Sequence, residues 1–176
     1  MTPIARAALH LLRTPSAAVG AAILLIVLAA AASAPWLFPD DPLEMVGAPF
    51  TWPGEDASFP AGTDLMGRDI LAGLFHGARV SLLVGGASAA IALAIGLLVG
   101  AFAGYAGPRT DAVLMRITEL FQIIPNVVFV LTIVSVLGPH IEAITLAVGL
   151  VSWPPIARLT RAEFLSFKER EFVQAS

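Results

Sequence analysis

The chain has 176 residues, of which 57% are hydrophobic and 13% charged, with a formal net charge of −3 and a mean hydropathy of +0.85. Soluble domains carry about 25% charged residues, and here the apolar residues fall in long unbroken runs, so a soluble enzyme is excluded. The absence of cysteine removes disulfides, thiolate metal sites and cysteine nucleophiles, and no basic face suited to nucleic acid is present.

The first apolar run covers residues 17–38 and follows Arg6 and Arg13. Ala32-Ser33-Ala34 imitates the cleavage site of a secretory signal peptide. The run is long for such a segment and Pro35 follows the supposed cut, which favours an uncleaved first transmembrane helix. On either reading the chain that follows begins on the far side of the membrane. Residues 39–79 hold Asp40, Asp41, Glu44, Glu55, Asp56, Asp64 and Asp69 against Arg68 and Arg79. Five prolines from Pro39 to Pro60 make most of this stretch turn and loop. From Asp69 towards Arg79 the apolar spacing of Ile70, Leu71, Leu74 and Phe75 predicts a short amphipathic helix at the outer interface.

The second predicted span, residues 80–103, carries only Arg-free, acid-free sequence. Ser88, Ala92, Gly96, Gly100 and Gly104 recur every four residues along one helix face. Small residues at that spacing let another helix approach closely, which predicts a packing seam; the alternative is that Ala- and Gly-rich composition produces the spacing by chance. A polar turn with Pro108 and Arg109 leads to the third span, residues 112–137, which Pro125 should kink. Glu119, Gln122 and Asn126 stand at i, i+3 and i+7 and share a face of one continuous helix. Polar groups at membrane depth normally face protein or a water-filled path, so they are candidates to line a translocation pathway. For Glu119 the alternative is a simple anchor, paired with Arg116 one turn earlier.

Gly138-Pro139 turns the chain into a fourth span, residues 141–157, whose end Pro154-Pro155 should disturb. Beyond it, residues 158–176 are polar, with Leu159, Phe164, Leu165, Phe167 and Phe172 among the charges, and read as a cytoplasmic amphipathic helix. Arg6, Arg13, Arg109, Arg116, Arg158, Arg161, Lys168 and Arg170 fall on one side and only Arg68 and Arg79 on the other. The positive-inside rule therefore places the N-terminus in the cytoplasm. Trp36 and Trp153 would sit at opposite interfaces. The expected fold is an all-α integral membrane protein in three parts: residues 1–38, the extracytoplasmic acidic loop 39–79 and a core 80–176.

Chemistry is hard to find in this chain. His10, His76 and His140 are scattered without the i, i+4 spacing of a helical zinc site, and there is no phosphate-binding loop with its Lys-Ser/Thr. No catalytic, cofactor or metal residues are therefore expected.

Gly62-Thr63-Asp64-Leu65-Met66-Gly67-Arg68-Asp69, followed by Gly77-Ala78-Arg79-Val80-Ser81-Leu82, resembles the signature before the second span of oligopeptide/dipeptide-type ABC importer permeases. Gly149-Leu150-Val151-Ser152-Trp153-Pro154 with Ala157-Arg158 resembles the fourth span of that family. Glu171-Phe172-Val173-Gln174-Ala175-Ser176 resembles the opening of its cytoplasmic coupling loop, the EAA motif. Gln174-Ala175-Ser176 stands where the motif's Glu-Ala-Ala would fall, and the motif's later Gly and two further spans are not in the sequence, as in the N-terminal portion of a longer subunit or a truncated product. The resemblance implies a permease subunit of a bacterial inner membrane importer for peptides or related solutes. Its partners would be a second homologous permease subunit, cytosolic ATPase subunits, an extracytoplasmic solute-binding protein and membrane lipid. Phe167, Glu171, Phe172, Gln174 and Ala175 would form the ATPase-coupling segment. A membrane scaffold and a channel remain the rival classes, and co-purification with an ATPase separates them from a transporter.

Overall fold

A computed structural model describes residues 14–174, with side chains as far as Phe167. Arg6, His10, Arg13 and Ala175 lie outside the described residues. The described chain forms five helices: α1 (Pro15–Leu37), α2 (Ile70–Tyr105), α3 (Pro108–Ile123), α4 (Asn126–Leu137) and α5 (Ile141–Gln174). Outside them, one isolated antiparallel bridge pairs Thr63 with Asp69. α1, α2 and the Ile141–Phe167 part of α5 are long and apolar enough to cross a membrane. The pair α3–α4 makes a fourth passage as one broken span, bent by 84°. This is a multi-pass, all-α membrane protein, as the composition dictates.

Three boundaries differ from the sequence expectation. The short helix foreseen at 69–79 is not separate: it is the first part of α2, whose 36 residues reach about 54 Å at 1.5 Å per residue, well beyond a hydrocarbon core of about 30 Å. Similarly, the fourth span and the cytoplasmic helix are one rod, α5. Pro154 and Pro155 lie inside it without ending it. Neighbouring helices can support backbone groups that a proline leaves unpaired in a membrane helix. Here Pro154 is fully buried in the packing of α5. At Pro125 the opposite happens. Ile124 is extended (φ −79, ψ 125), as sterics before proline demand, and the helix stops.

The chain divides into two compact units, residues 1–82 and 83–176. In the first, Phe38 closes α1 through its N–H to the Ala34 carbonyl. Its own carbonyl takes a 2.9 Å hydrogen bond from His76 Nε2, and its ring meets Phe75 edge-on at 5.2 Å. The loop between α1 and α2 is a tied knot. Val46 and Gly47 both donate N–H bonds to the Gly67 carbonyl. Thr63, buried at 3% exposure, accepts from Thr51 N–H and donates to the Ala48 carbonyl. Gly62 and Gly67 take φ of +77° and +74°, the left-handed region where glycine carries no steric penalty. The Asp64 carboxylate accepts N–H bonds from Arg68 and Met66. The Arg68 N–H bond is the largest influence holding its pKa below the usual value; desolvation opposes it, and the Met66 N–H and the Arg68 charge add to it.

Candidate functional site

The second unit is built on the small-residue face of α2. Ser88 Oγ donates to the Thr145 carbonyl on α5 at 2.9 Å. Further along, a methyl group placed on Gly96 would stand 2.6 Å from Ile156 Cβ, and one on Gly104 would stand 2.6 Å from Phe164 Cβ. At Gly100 it would meet the Ala157 carbonyl and Thr160 Cβ. Ser88, Ala92, Gly96, Gly100 and Gly104 thus lie against α5 along about 24 Å of helix. α5 answers with Gly149, where an added methyl would come within 2.8 Å of Ile91 Cβ. Without a hydrophobic drive between helices in lipid, such close van der Waals contact is what binds them.

Trp153 belongs to this seam. It is 5% exposed and clusters with Ala92 and Ala157, while Trp36 is 81% exposed. The small residues of α2 leave the volume that the indole fills. Phe121 of α3 meets it edge-on at 5.3 Å, and Phe129 of α4 lies tilted against Phe121 at 5.8 Å. The aromatic trio therefore ties α5 to both halves of the broken span. Thr118, fully buried, faces inward on α3 and donates to the Leu114 carbonyl at 2.8 Å.

The pathway candidates are divided by the break. Glu119 and Gln122 remain on α3, but Asn126 begins α4 beyond an 84° bend, so the three do not share one helix face. All three are exposed. Glu119 accepts from Arg116 Nη1 at 3.0 Å, with both side chains more than half exposed, which is the anchor geometry. Asn126 opens a cleft of about 330 Å³ lined by Val127, Val130, Leu131, Val148, Val151 and Ser152. Of the coupling candidates, Phe167 is 61% exposed. The backbone of Glu171, Phe172 and Gln174 continues α5.

One pairing had no counterpart in the sequence reading. Arg161 on α5 grips Asp111, in the first turn of α3, through Nε and Nη2 on both carboxylate oxygens. The side chains are 32% and 19% exposed. Fifty residues separate the partners, so no local spacing reveals them.

Comparison with known proteins decides the family. Residues 96–176 match the model of the binding-protein-dependent transport system inner membrane component. Residues 96–176 belong to this family. It is 38% identical over 162 residues to a di/tripeptide transport system permease protein of Pseudomonas aeruginosa, covering 89% of this chain and 54% of that protein. It is also 38% identical over 168 residues to an oligopeptide transport system permease protein of Haemophilus influenzae, covering 93% of this chain and 53% of the relative. A dipeptide transport system permease protein of the same organism is 32% identical over 180 residues, 99% of this chain and 61% of its own. The chain thus spans a little over half the length of the curated permeases it matches. The family's inner membrane component is a transport permease, and the seam, the broken span and the Asp111–Arg161 pair lie wholly or largely within the matched residues.

Proposed function

We propose that this permease component is a transmembrane subunit of an ATP-driven importer of peptides or related small solutes. It forms half of a translocation pathway with a second, homologous permease subunit, and separate cytosolic ATPase subunits supply the energy. An extracytoplasmic solute-binding protein delivers the solute, and the subunit itself is not an enzyme. The observation that carries this reading is the 38% identity, over 89% of the chain, to a di/tripeptide permease. The broken third passage adds support, because interrupted helices in transporters mark the place where a solute passes.

The arginine bias sets the orientation of the proposal. Arg109, Arg116, Arg158 and Arg161 face the cytoplasm, the acidic loop faces outward, and the membrane is the bacterial inner membrane. Phe167, Glu171, Phe172, Gln174 and Ala175 form the segment that docks on the ATPase. Gln122 and Asn126 flank the break and line the path, with Glu119 at its cytoplasmic edge.

The test is uptake of labelled di- and tripeptides by cells with and without the gene, combined with affinity capture of the tagged chain. Loss of uptake on deletion, with co-purification of an ATPase subunit, is the expected result. Normal uptake in the deletion strain and no captured ATPase would overturn the importer reading in favour of a scaffold or channel.

A further inference from the structure

We propose that the Asp111–Arg161 pair is the joint through which movement of the cytoplasmic end of α5 reaches the break in the third passage. The proposal rests on the importer reading above and assigns a positioning role to two residues outside the pathway and outside the ATPase-docking segment.

The argument begins with α5. It is one continuous helix from Ile141 to Gln174, so it has no hinge between the seam and its cytoplasmic end. A displacement applied near Gln174 therefore moves Arg161 with it. Arg161 sits where three helices converge. Its backbone passes beside Gly100 and Gly104 of α2, and its guanidinium holds Asp111 at the start of α3. A bidentate arginine–carboxylate contact fixes direction as well as distance, so it transmits rotation where a single apolar contact would slip. Asp111 gains further hold because a carboxylate in the first helical turn is favoured by the helix dipole. From Asp111, α3 runs as a rigid segment to Ile123, and the extended Ile124 and Pro125 are the first backbone positions able to take up a change of angle. Two-state motions absorb their dihedral changes at a few such positions. Phe121 against Trp153 supplies the second point of contact between α5 and α3, so α3 is held at both ends and can pivot only with α5. Glu119, whose partner is the exposed Arg116, has no comparable connection to α5 among the described residues.

The experiment uses the whole chain assembled with its partner subunits in lipid vesicles, with an alanine tripeptide and the cognate solute-binding protein as the probe. Asp111→Asn keeps the shape of the side chain and removes its charge. The expected result is a normal level of assembled chain and a normal unstimulated ATPase rate. Stimulation by the loaded binding protein and tripeptide uptake should both fall about fivefold or more, the lower end of ordinary coupling between two sites. Arg161→Gln should do the same, and the double variant should be no worse than either single one, because residues acting as a unit are non-additive. Full stimulation in Asp111→Asn, or losses that multiply in the double variant, would overturn the joint while leaving the importer reading intact. A fall in stimulation that only follows a fall in assembled chain makes the pair a structural staple and also overturns it. A wild-type assembly that neither transports nor hydrolyses ATP sinks the importer reading, and the joint with it.

Discussion

The seam between α2 and α5 can be tested with single methyl groups. At Gly96 an alanine Cβ would stand 2.6 Å from Ile156 Cβ, 2.7 Å from its Cγ2 and 3.0 Å from the Trp153 carbonyl oxygen. Carbon atoms rest about 3.5–4.0 Å apart, so the helices must separate by about 1 Å or the Ile156 side chain must leave its rotamer. Backbone at Trp153 cannot swing aside, and the same holds at Gly100, where the obstacle is the Ala157 carbonyl. Overpacking of this kind costs about 1–3 kcal/mol. Gly86 lies on the same helix, and a methyl there meets nothing within 4 Å. Gly86→Ala should be neutral or gain up to about 1 kcal/mol from helix propensity. The two alanine substitutions should thus differ by roughly 2 kcal/mol or more, over tenfold in the folded ratio. The assay is the fraction of monodisperse chain surviving a heating series in detergent, read by size-exclusion chromatography. Gly96→Ala and Gly100→Ala should melt well below wild type, and Leu98→Phe, at a position 62% exposed, should not. Identical melting of Gly96→Ala, Gly100→Ala and Gly86→Ala would refute the seam as a source of stability.

Three further outcomes follow from the loop between α1 and α2 and from the proposed topology. Thr63→Val removes the hydroxyl that the Thr51 N–H and the Ala48 carbonyl share, a loss of about 1 kcal/mol for ordinary hydrogen bonds; the loop should be cut faster by a neutral protease, whereas equal cleavage rates would contradict the knot. Asp64 has a folded pKa below its ordinary value, so its contribution is present at neutral pH and is lost as pH falls through the lowered folded pKa. Wild type should therefore become more sensitive to an acid protease at low pH than Asp64→Asn, whose amide oxygen keeps the acceptor; matching acid profiles would remove the claim. Cysteines placed at Ser58 and Thr110 of this cysteine-free chain should react with an impermeant thiol reagent in intact cells at 58 only, and labelling at 110 alone would invert the topology.

The apolar segments and the four-residue spacing of Ser88 to Gly104 are legible because both are local patterns in the chain. What lay beyond reach is the identity of the partner: the seam meets α5 of the same chain, which spacing on α2 alone does not specify. Proline was the poorest guide. Pro125 ends a helix and Pro154-Pro155 does not, although each removes a backbone donor and crowds the preceding residue. Pro154 is enclosed in a packed interface and Pro125 is exposed, but Pro155 is exposed too and stays inside α5, so exposure alone does not decide which proline ends a helix. The enclosure of Trp153 by Ala92 and Phe121 was also out of reach, because its neighbours come from other helices. The pathway triad failed as a single face because the i, i+7 relation of Glu119 and Asn126 presumes an unbroken helix. Asp111 and Arg161 were visible only as charges, since a contact across fifty residues leaves no periodic trace.

The broken third passage bears on how the chain enters the bilayer. α3 has 16 residues and α4 has 12, about 24 Å and 18 Å of helix, and α3 carries Arg109, Asp111, Arg116 and Glu119. Neither reaches the roughly 20 apolar residues that partition into lipid unaided. The pair together is long and apolar enough to cross, and in the folded chain Trp153 and Arg161 of α5 cover Phe121 and pair with Asp111. The packing of the third passage is therefore completed by the fourth, and a chain ending between Leu137 and Ile141 should hold α3 and α4 less firmly against alkaline extraction than the whole chain does.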